Sequence, residues 1–293
     1  MRILFIVLLC LPIWLFSQSQ FDNVEISETA LTDQIYMLEG AGGNIGLIIG
    51  EEGALLIDDQ YGPLAEKIKT KVAQLTDGPI TYIANTHWHG DHSGGNEFFG
   101  TQGATIIAHK NVRKRMSMEH QRGDRVIPPS PEVALPVITF GEDMQLHFNG
   151  LEIMAIHVDN AHTDGDALLW IPGANVLHMG DCFFHQRYPF IDLTSGGSVD
   201  GAITAVETAL FLIDDDTKII PGHGPMAAKA DLENYLTFLK SIRTRIKSYV
   251  SVGRGIDMID AAKIVEGYED WAWGFIDADR LVQIFHSSLT AGN

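Results

Sequence analysis

The segment His87-Trp88-His89-Gly90-Asp91-His92 places three imidazoles and a carboxylate in one short stretch. In an extended chain, residues two apart point the same way, so His87 and His89 can converge on one point. Asp91 and His92 come from the turn that follows and can face a neighbouring point. Imidazole and carboxylate donors together suit zinc and similar first-row cations. Three further segments carry such groups: Ala161-His162-Thr163-Asp164-Gly165-Asp166, Gly180-Asp181-Cys182 and Pro221-Gly222-His223-Gly224. Each follows a strand-like apolar run, and loops at strand ends are where active sites commonly sit. The neighbouring glycines let the backbone turn sharply there.

The elements that must position these groups follow from the apolar pattern. Gln34–Leu38, Ile45–Ile49 and Ala54–Ile57 are short apolar runs separated by glycine turns, which predicts a meander after a polar start. Pro63 opens a helix carrying Leu64, Ile68, Val72 and Leu75, closed by Asp77-Gly78-Pro79. Ile80–Ala84 is a strand leading into the histidine-rich turn, and Thr105–Ala108, Leu151–Val158, Ala167–Ile171, Ala174–Met179 and Lys218–Ile220 are further strands. Ser198 caps a helix from Val199 to Ile213. A long amphipathic helix then aligns Leu232, Leu236, Leu239, Ile242 and Ile246. The Pro128–Pro136 stretch, after the basic Arg113–Arg125 region, reads as a long loop. From Gly253 onward two weak helical patterns form an appendix to the domain. Strands alternating with helices after a meander predict mixed sheets with helices outside.

Composition bounds the function. The 293 residues carry 20 Lys+Arg against 38 Asp+Glu, a formal charge of −18. That balance disfavours phosphate-backbone binding, so nucleic-acid partners are not expected. Met1 and Arg2 precede an apolar run from Ile3 to Phe16, with small residues at Ser17 and Ser19. This is the pattern of a secretory signal peptide over residues 1–19. The run is shorter than the roughly 20 residues of a membrane span and contains Pro12. Export to the periplasm or beyond is expected, with no stable membrane anchor after cleavage. A lipid anchor at Cys10 is disfavoured by Leu9 before it. Loss of Cys10 leaves Cys182 alone, so no internal disulfide can form.

The order His-x-His-x-Asp-His, His, Asp, Gly-His-Gly resembles the metallo-β-lactamase-fold hydrolases over roughly residues 34–250. Asp58, in Leu55-Leu56-Ile57-Asp58, matches that family's first motif. The resemblance implies an α/β fold, an αββα sandwich with metals at one edge, over residues 20–252, followed by a helical extension at 253–293. It implies two Zn2+, with Mn or Fe as options. His87, His89 and His162 would hold the first ion and Asp91, His92 and His223 the second. Asp181 would bridge them, and Asp58 would orient a ligand. Two ions about 3.5–4 Å apart can share a hydroxide that acts as nucleophile. Asp91 is then the catalytic residue that orients the water and takes its proton.

The expected activity is cleavage of a small ester, lactone, thioester or amide, the partner being a small molecule. β-Lactamase proper is one alternative. In one branch a lysine stands three residues after a cysteine ligand, and here that position is His185, or Phe184 counted from Asp181. A non-catalytic exported zinc-binding protein is the other alternative. Cys182 is expected to pack as a small hydrophobe. His109, His120, His147, His178 and His286 show no partner pattern. His157 and His185 are candidates to face ligands or substrate, as are Trp88 and Tyr188 for a pocket. Trp271 and Trp273 are expected to pack the C-terminal appendix, or an oligomer contact, rather than touch substrate.

Overall fold

A computed structural model describes residues 20–122 and 125–291; the segment 1–19, where a signal peptide is expected, and Cys10 within it lie outside the described residues. Strands β1 (Ser27–Ala30), β2 (Ile35–Glu39), β3 (Ile45–Gly50) and β4 (Gly53–Ile57) form an antiparallel meander. From β4 the pairing turns parallel, through β5 (Ile80–Ala84) and β6 (Thr105–His109). A hairpin of β7 (His120–Arg122) and β8 (Arg125–Ile127) stands apart, and β9 (Ile138–Phe140) then completes the seven-stranded sheet beside β6. The second sheet has five strands: β10 (Asp143–Phe148), β11 (Leu151–His157), β12 (Ala167–Ile171), β13 (Val176–His178) and β14 (Lys218–Ile220). Its first four are antiparallel, whereas β13 and β14 run parallel. Parallel neighbours need a crossover, supplied by the helix Val199–Leu212.

The layering explains why β4 is apolar throughout. Leu55 and Ile57 face the second sheet and pack in the core shared with Ile153, Leu169 and Ile220. Ala54 and Leu56 face outward onto Leu64, Ile68 and Val72 of the helix Ala65–Leu75 and its lead-in. A strand covered on both faces loses the alternating polar face. The outer face of the second sheet packs on the helices Val199–Leu212, Lys229–Val250 and Ala278–Thr290, the last through Leu281, Val282 and Phe285. The result is two mixed sheets between helical layers. Ser198 caps its helix through Gly201 N.

Several elements lie outside the sequence reading, among them β7, β8, β9, β1 and β10. The polar start contains β1, an exposed strand whose partner β2 supplies the apolar face. The stretch before Gly150 contains β10, in which Met144, Leu146 and Phe148 alternate with exposed Asp143, Gln145 and His147. No helix among the described residues is long and apolar enough to cross a membrane.

Candidate metal centre

Both sheets feed one edge. His87 and His89 leave the end of β5, and the short helix Gly90–Ser93 carries Asp91 and His92. His162 follows β11, Asp181 follows β13 and His223 follows β14. Gly180 holds a left-handed φ of 49°, and a Cβ there would lie 2.5 Å from Thr86 Oγ1. Gly222 is equally constrained, since a Cβ would meet Asp181 Oδ1 at 2.2 Å. The donor atoms collect in two groups, each with all atoms within 4.8 Å of one another: His87, His89, His162 and Asp181, and Asp91, His92 and His223.

Hydrogen bonds on the far side of each ring settle which nitrogen faces the centre. Thr86 Oγ1 donates to Asp58 Oδ2 (2.7 Å), so it accepts from His87 Nδ1 at 3.0 Å. His92 Nδ1 donates to the same Asp58 Oδ2 at 2.7 Å. His162 Nδ1 donates to the Phe190 carbonyl (2.7 Å), and His89 Nε2 donates to Asp192 Oδ2 (3.0 Å). Each ring thereby turns its other nitrogen inward. His87 Nε2, His92 Nε2 and Asp181 Oδ1 are buried there without hydrogen-bond partners. His162 Nε2 and His89 Nδ1 lie 2.9 Å apart. Two facing lone pairs at that distance repel unless a cation joins them. Buried, unpartnered donors of this kind fit divalent cations.

Asp181 connects the two groups. Its Oδ2 lies 3.5 Å from His162 and 3.9 Å from His87, while Oδ1 lies 3.0 Å from His92 and 3.3 Å from His223. Burial opposes its charge, but His92, His223 and His162 outweigh burial and hold the carboxyl well below the usual range. Asp91 Oδ2 sits 3.4 Å from His223 and 3.9 Å from His92. Burial works against it too, and those imidazoles still bring it down to about 2. His87 is pushed well below its ordinary value, by burial first and by its neighbours His92 and His162 second. His223 moves to about 9, burial being overcome by Asp181 and Asp91.

Asp58 is wholly buried, with φ 65°, and also accepts from Thr86 N at 2.7 Å. Asp192, which the sequence reading missed, does for His89 what Asp58 does for His92. Thr194 and Ser195 donate to its carboxylate through both backbone and hydroxyl groups. Burial disfavours its charge, yet His89, Ser195 and Thr194 hold its carboxyl far below the usual range. An aspartate two residues ahead of a hydroxyl pair was the only local signal, and its partner lies far away in sequence.

Other residues fall elsewhere. Cys182 packs in the hydrophobic core, and burial raises its thiol well above the ordinary value. Asp164 pairs with Arg115 at 2.6 Å. His157 stacks on His109 at 3.8 Å, and His185 bonds the Pro225 carbonyl, so neither faces the donor groups. Tyr188 is fully buried and donates to the Tyr268 carbonyl. Trp88 stacks on His120 and lines a cavity of about 800 Å³ on one side of His89. On the other side, a cavity of about 580 Å³ opens over Asp91, Asp181 and His223. Trp271 packs on Phe238, as expected, and Trp273 packs against the same core while also lining the second cavity, because the chain doubles back over the sheet edge.

The profile of the metallo-beta-lactamase superfamily matches residues 38–223. A type 2 metallo-beta-lactamase of Bacteroides fragilis is 24% identical over 215 residues, covering 68% of this chain and 80% of that protein. A hydroxyacylglutathione hydrolase of Polaromonas sp. is 29% identical over 174 residues, covering 58% of this chain and 57% of that one. Among solved structures, a metallo-beta-lactamase from Pontibacter korlensis superposes with a TM-score of 0.62 at 18% identity, covering 74% of this chain and 99% of that chain. A double mutant of the sec-alkyl sulfatase PisA1 reaches 0.69 at 14% identity, covering 94% of this chain and 52% of the other. With two clustered His/Asp donor groups at the sheet edge, the chain belongs to the metallo-beta-lactamase superfamily and is one of its metal-dependent hydrolases.

Proposed function

We propose that the protein is an exported dinuclear zinc hydrolase that cleaves a small ester, lactone, thioester or amide. The observation that carries this reading is Asp181, which faces both donor groups at the floor of an open cavity. The family relation supports hydrolysis, and the apolar leader at Ile3–Phe16 supports export.

His87, His89, His162 and Asp181 would hold one ion, and Asp91, His92, His223 and the shared Asp181 the other. When bound, such a pair supplies a nucleophilic hydroxide at neutral pH and a Lewis acid for the scissile carbonyl. Asp58 and Asp192 fix the rings of His92 and His89 from behind. Asp91 keeps its carboxylate partly open to the cavity, where it takes the proton from the attacking water and passes it to the leaving group. Phe184 and Trp273 flank His223 and exclude bulk water from that side. The β-lactamase alternative has less support, because His185, at the position of the drug-binding lysine, turns to the Pro225 carbonyl.

The test is a panel of nitrocefin, an acyl-homoserine lactone, a thioester and bis-nitrophenyl phosphate, run on zinc-loaded, chelator-stripped and His89→Ala protein. The expected result is zinc-dependent turnover of the ester or lactone class, abolished in His89→Ala while the circular dichroism stays native. Two tightly bound zinc ions per chain with no turnover of any substrate would instead support a zinc-binding protein. Sequencing the N-terminus of protein recovered from the medium or periplasm checks export.

A further inference from the structure

The turn that carries His162 is gripped from outside by a helix that supplies none of the metal-facing donors. This helix, Lys110–Met116, starts directly at the end of β6 in the seven-stranded sheet. Its Arg115 makes a two-pronged contact with Asp164, two residues past His162: Nε donates to Oδ1 at 2.6 Å and Nη2 to Oδ2 at 2.8 Å. Asn111, one turn earlier on the same helix face, donates from Nδ2 to the Asp164 carbonyl at 2.7 Å. Asp164 N in turn donates to the Ser195 carbonyl (2.8 Å), and Ser195 Oγ donates to the Asp192 carboxylate that holds His89.

Arg115 is tied to the opposite source of donors as well. Its carbonyl accepts from His120 Nε2 at 2.6 Å, and the His120 ring stacks on Trp88 with centroids 4.4 Å apart. Trp88 stands between His87 and His89. One residue thus links the turn after β11, in the five-stranded sheet, to the turn after β5, in the seven-stranded one. The two side chains of the ion pair are 19% and 29% exposed, so solvent screens it in part and its contribution to stability is modest. What a bidentate guanidinium fork does impose is distance and orientation. That constraint acts where spacing matters, because His162 Nε2 and His89 Nδ1 face each other at 2.9 Å. A small rotation of the His162 turn changes the gap that a cation must fill.

We propose that Arg115 is a positioning residue: acting through Asp164, it sets His162 against the His87–His89 turn and thereby sets the metal affinity of the donor group His87, His89, His162 and Asp181. This rests on the metal-centre reading given above and is independent of which substrate is cleaved. The neighbouring Arg113 provides the contrast. It pairs with Glu132 at 2.7 Å and donates to the Pro136 carbonyl at 2.8 Å, contacts that brace the helix and reach neither turn.

The test reads metal binding rather than turnover, by zinc competition with a chromophoric chelator and by the visible spectrum of the cobalt(II)-substituted protein. In a His223→Ala background, which leaves the first donor group intact, Arg115→Gln should weaken zinc by about 10–100-fold and shift the cobalt bands. In a His89→Ala background, which breaks that group, the same change should leave the affinity of the remaining ion within about threefold. Arg115→Lys keeps the charge without the fork and should recover only part of the loss. Arg113→Gln should lower thermal stability without moving zinc affinity or the spectrum. If Arg115→Gln does not fold, Asp164→Asn, which keeps the shape and one acceptor, should reproduce the loss in smaller degree. Wild-type affinity in a folded Arg115→Gln or Asp164→Asn protein, or an equal loss in Arg113→Gln, would overturn the proposal while leaving the metal centre standing. A wild-type protein that binds neither zinc nor cobalt overturns the metal centre and this inference together.

Discussion

Asp192→Asn isolates the support behind one donor. In the native site His89 Nε2 donates to Asp192 Oδ2 at 3.0 Å, which leaves Nδ1 free to face His162. The carboxylate is itself held by four donors from Thr194 and Ser195, so it is presented in one orientation. Its side chain is 11% exposed, and the contact is a charge-assisted bond of about 1.5–3 kcal/mol. Asparagine keeps the shape and one acceptor oxygen but removes the charge. Metal affinity should therefore fall by about 10–100-fold, in line with other losses of ligand-orienting partners. That corresponds to about 1.4–2.7 kcal/mol. The assay is competition for zinc between stripped protein and a chromophoric chelator, with thermal unfolding as the control for fold. Thr194→Val removes a donor to Oδ1 and leaves the His89 bond intact, so it should cost stability without weakening zinc. Zinc affinity in Asp192→Asn within about threefold of wild type, with the fold retained, would refute the reasoning.

Two further outcomes follow from the same geometry. Asp91→Asn should keep the fold and lower kcat by about 10²–10⁴-fold, measured on the best ester; a loss below tenfold would exclude Asp91 as the proton carrier. His178 is buried, donates from Nε2 to the Asn44 carbonyl and accepts at Nδ1 from Gly180 N, and burial pushes it down to about 4. The folded chain thus holds this ring neutral. Its contribution is complete above the unfolded value near 6.5 and is lost as pH falls towards 4, about 3 kcal/mol at the limit. His178→Gln should flatten that part of the stability-against-pH curve in chemical denaturation, and slopes equal to wild type would count against this account.

The donors were legible because their chemistry is local. His87 and His89 were legible as a close-set pair after an apolar strand, although β5 ends at Ala84 and a bend rather than an extended strand carries them. His162, Asp181 and His223 each follow an apolar run. The helix at Val199 carried its own cap in Ser198. What stayed hidden depends on distant partners. Asp192 looks like an ordinary turn residue until β5 brings His89 to it. The role of Trp273 requires the chain to return across the sheet edge, and its neighbour Trp271 does pack on Phe238 as a simple core residue. β1 is exposed at three of its four residues and carries no apolar stripe. For β10 a signal did exist in the alternation of Met144, Leu146 and Phe148, between turns at Gly141 and Asn149-Gly150.

The provenance of the donors has a mechanical consequence. His87, His89, Asp91 and His92 hang from the seven-stranded sheet, whereas His162, Asp181 and His223 hang from the five-stranded one. The two sheets also meet through apolar side chains such as Leu55 and Leu169, and through hydrogen bonds such as Asn44 N to the Gly222 carbonyl and Ala167 N to the Thr86 carbonyl. Ions coordinated across that seam would act as rivets against shear. In a chain whose described residues include a single buried thiol, they would do the cross-linking that disulfides do elsewhere.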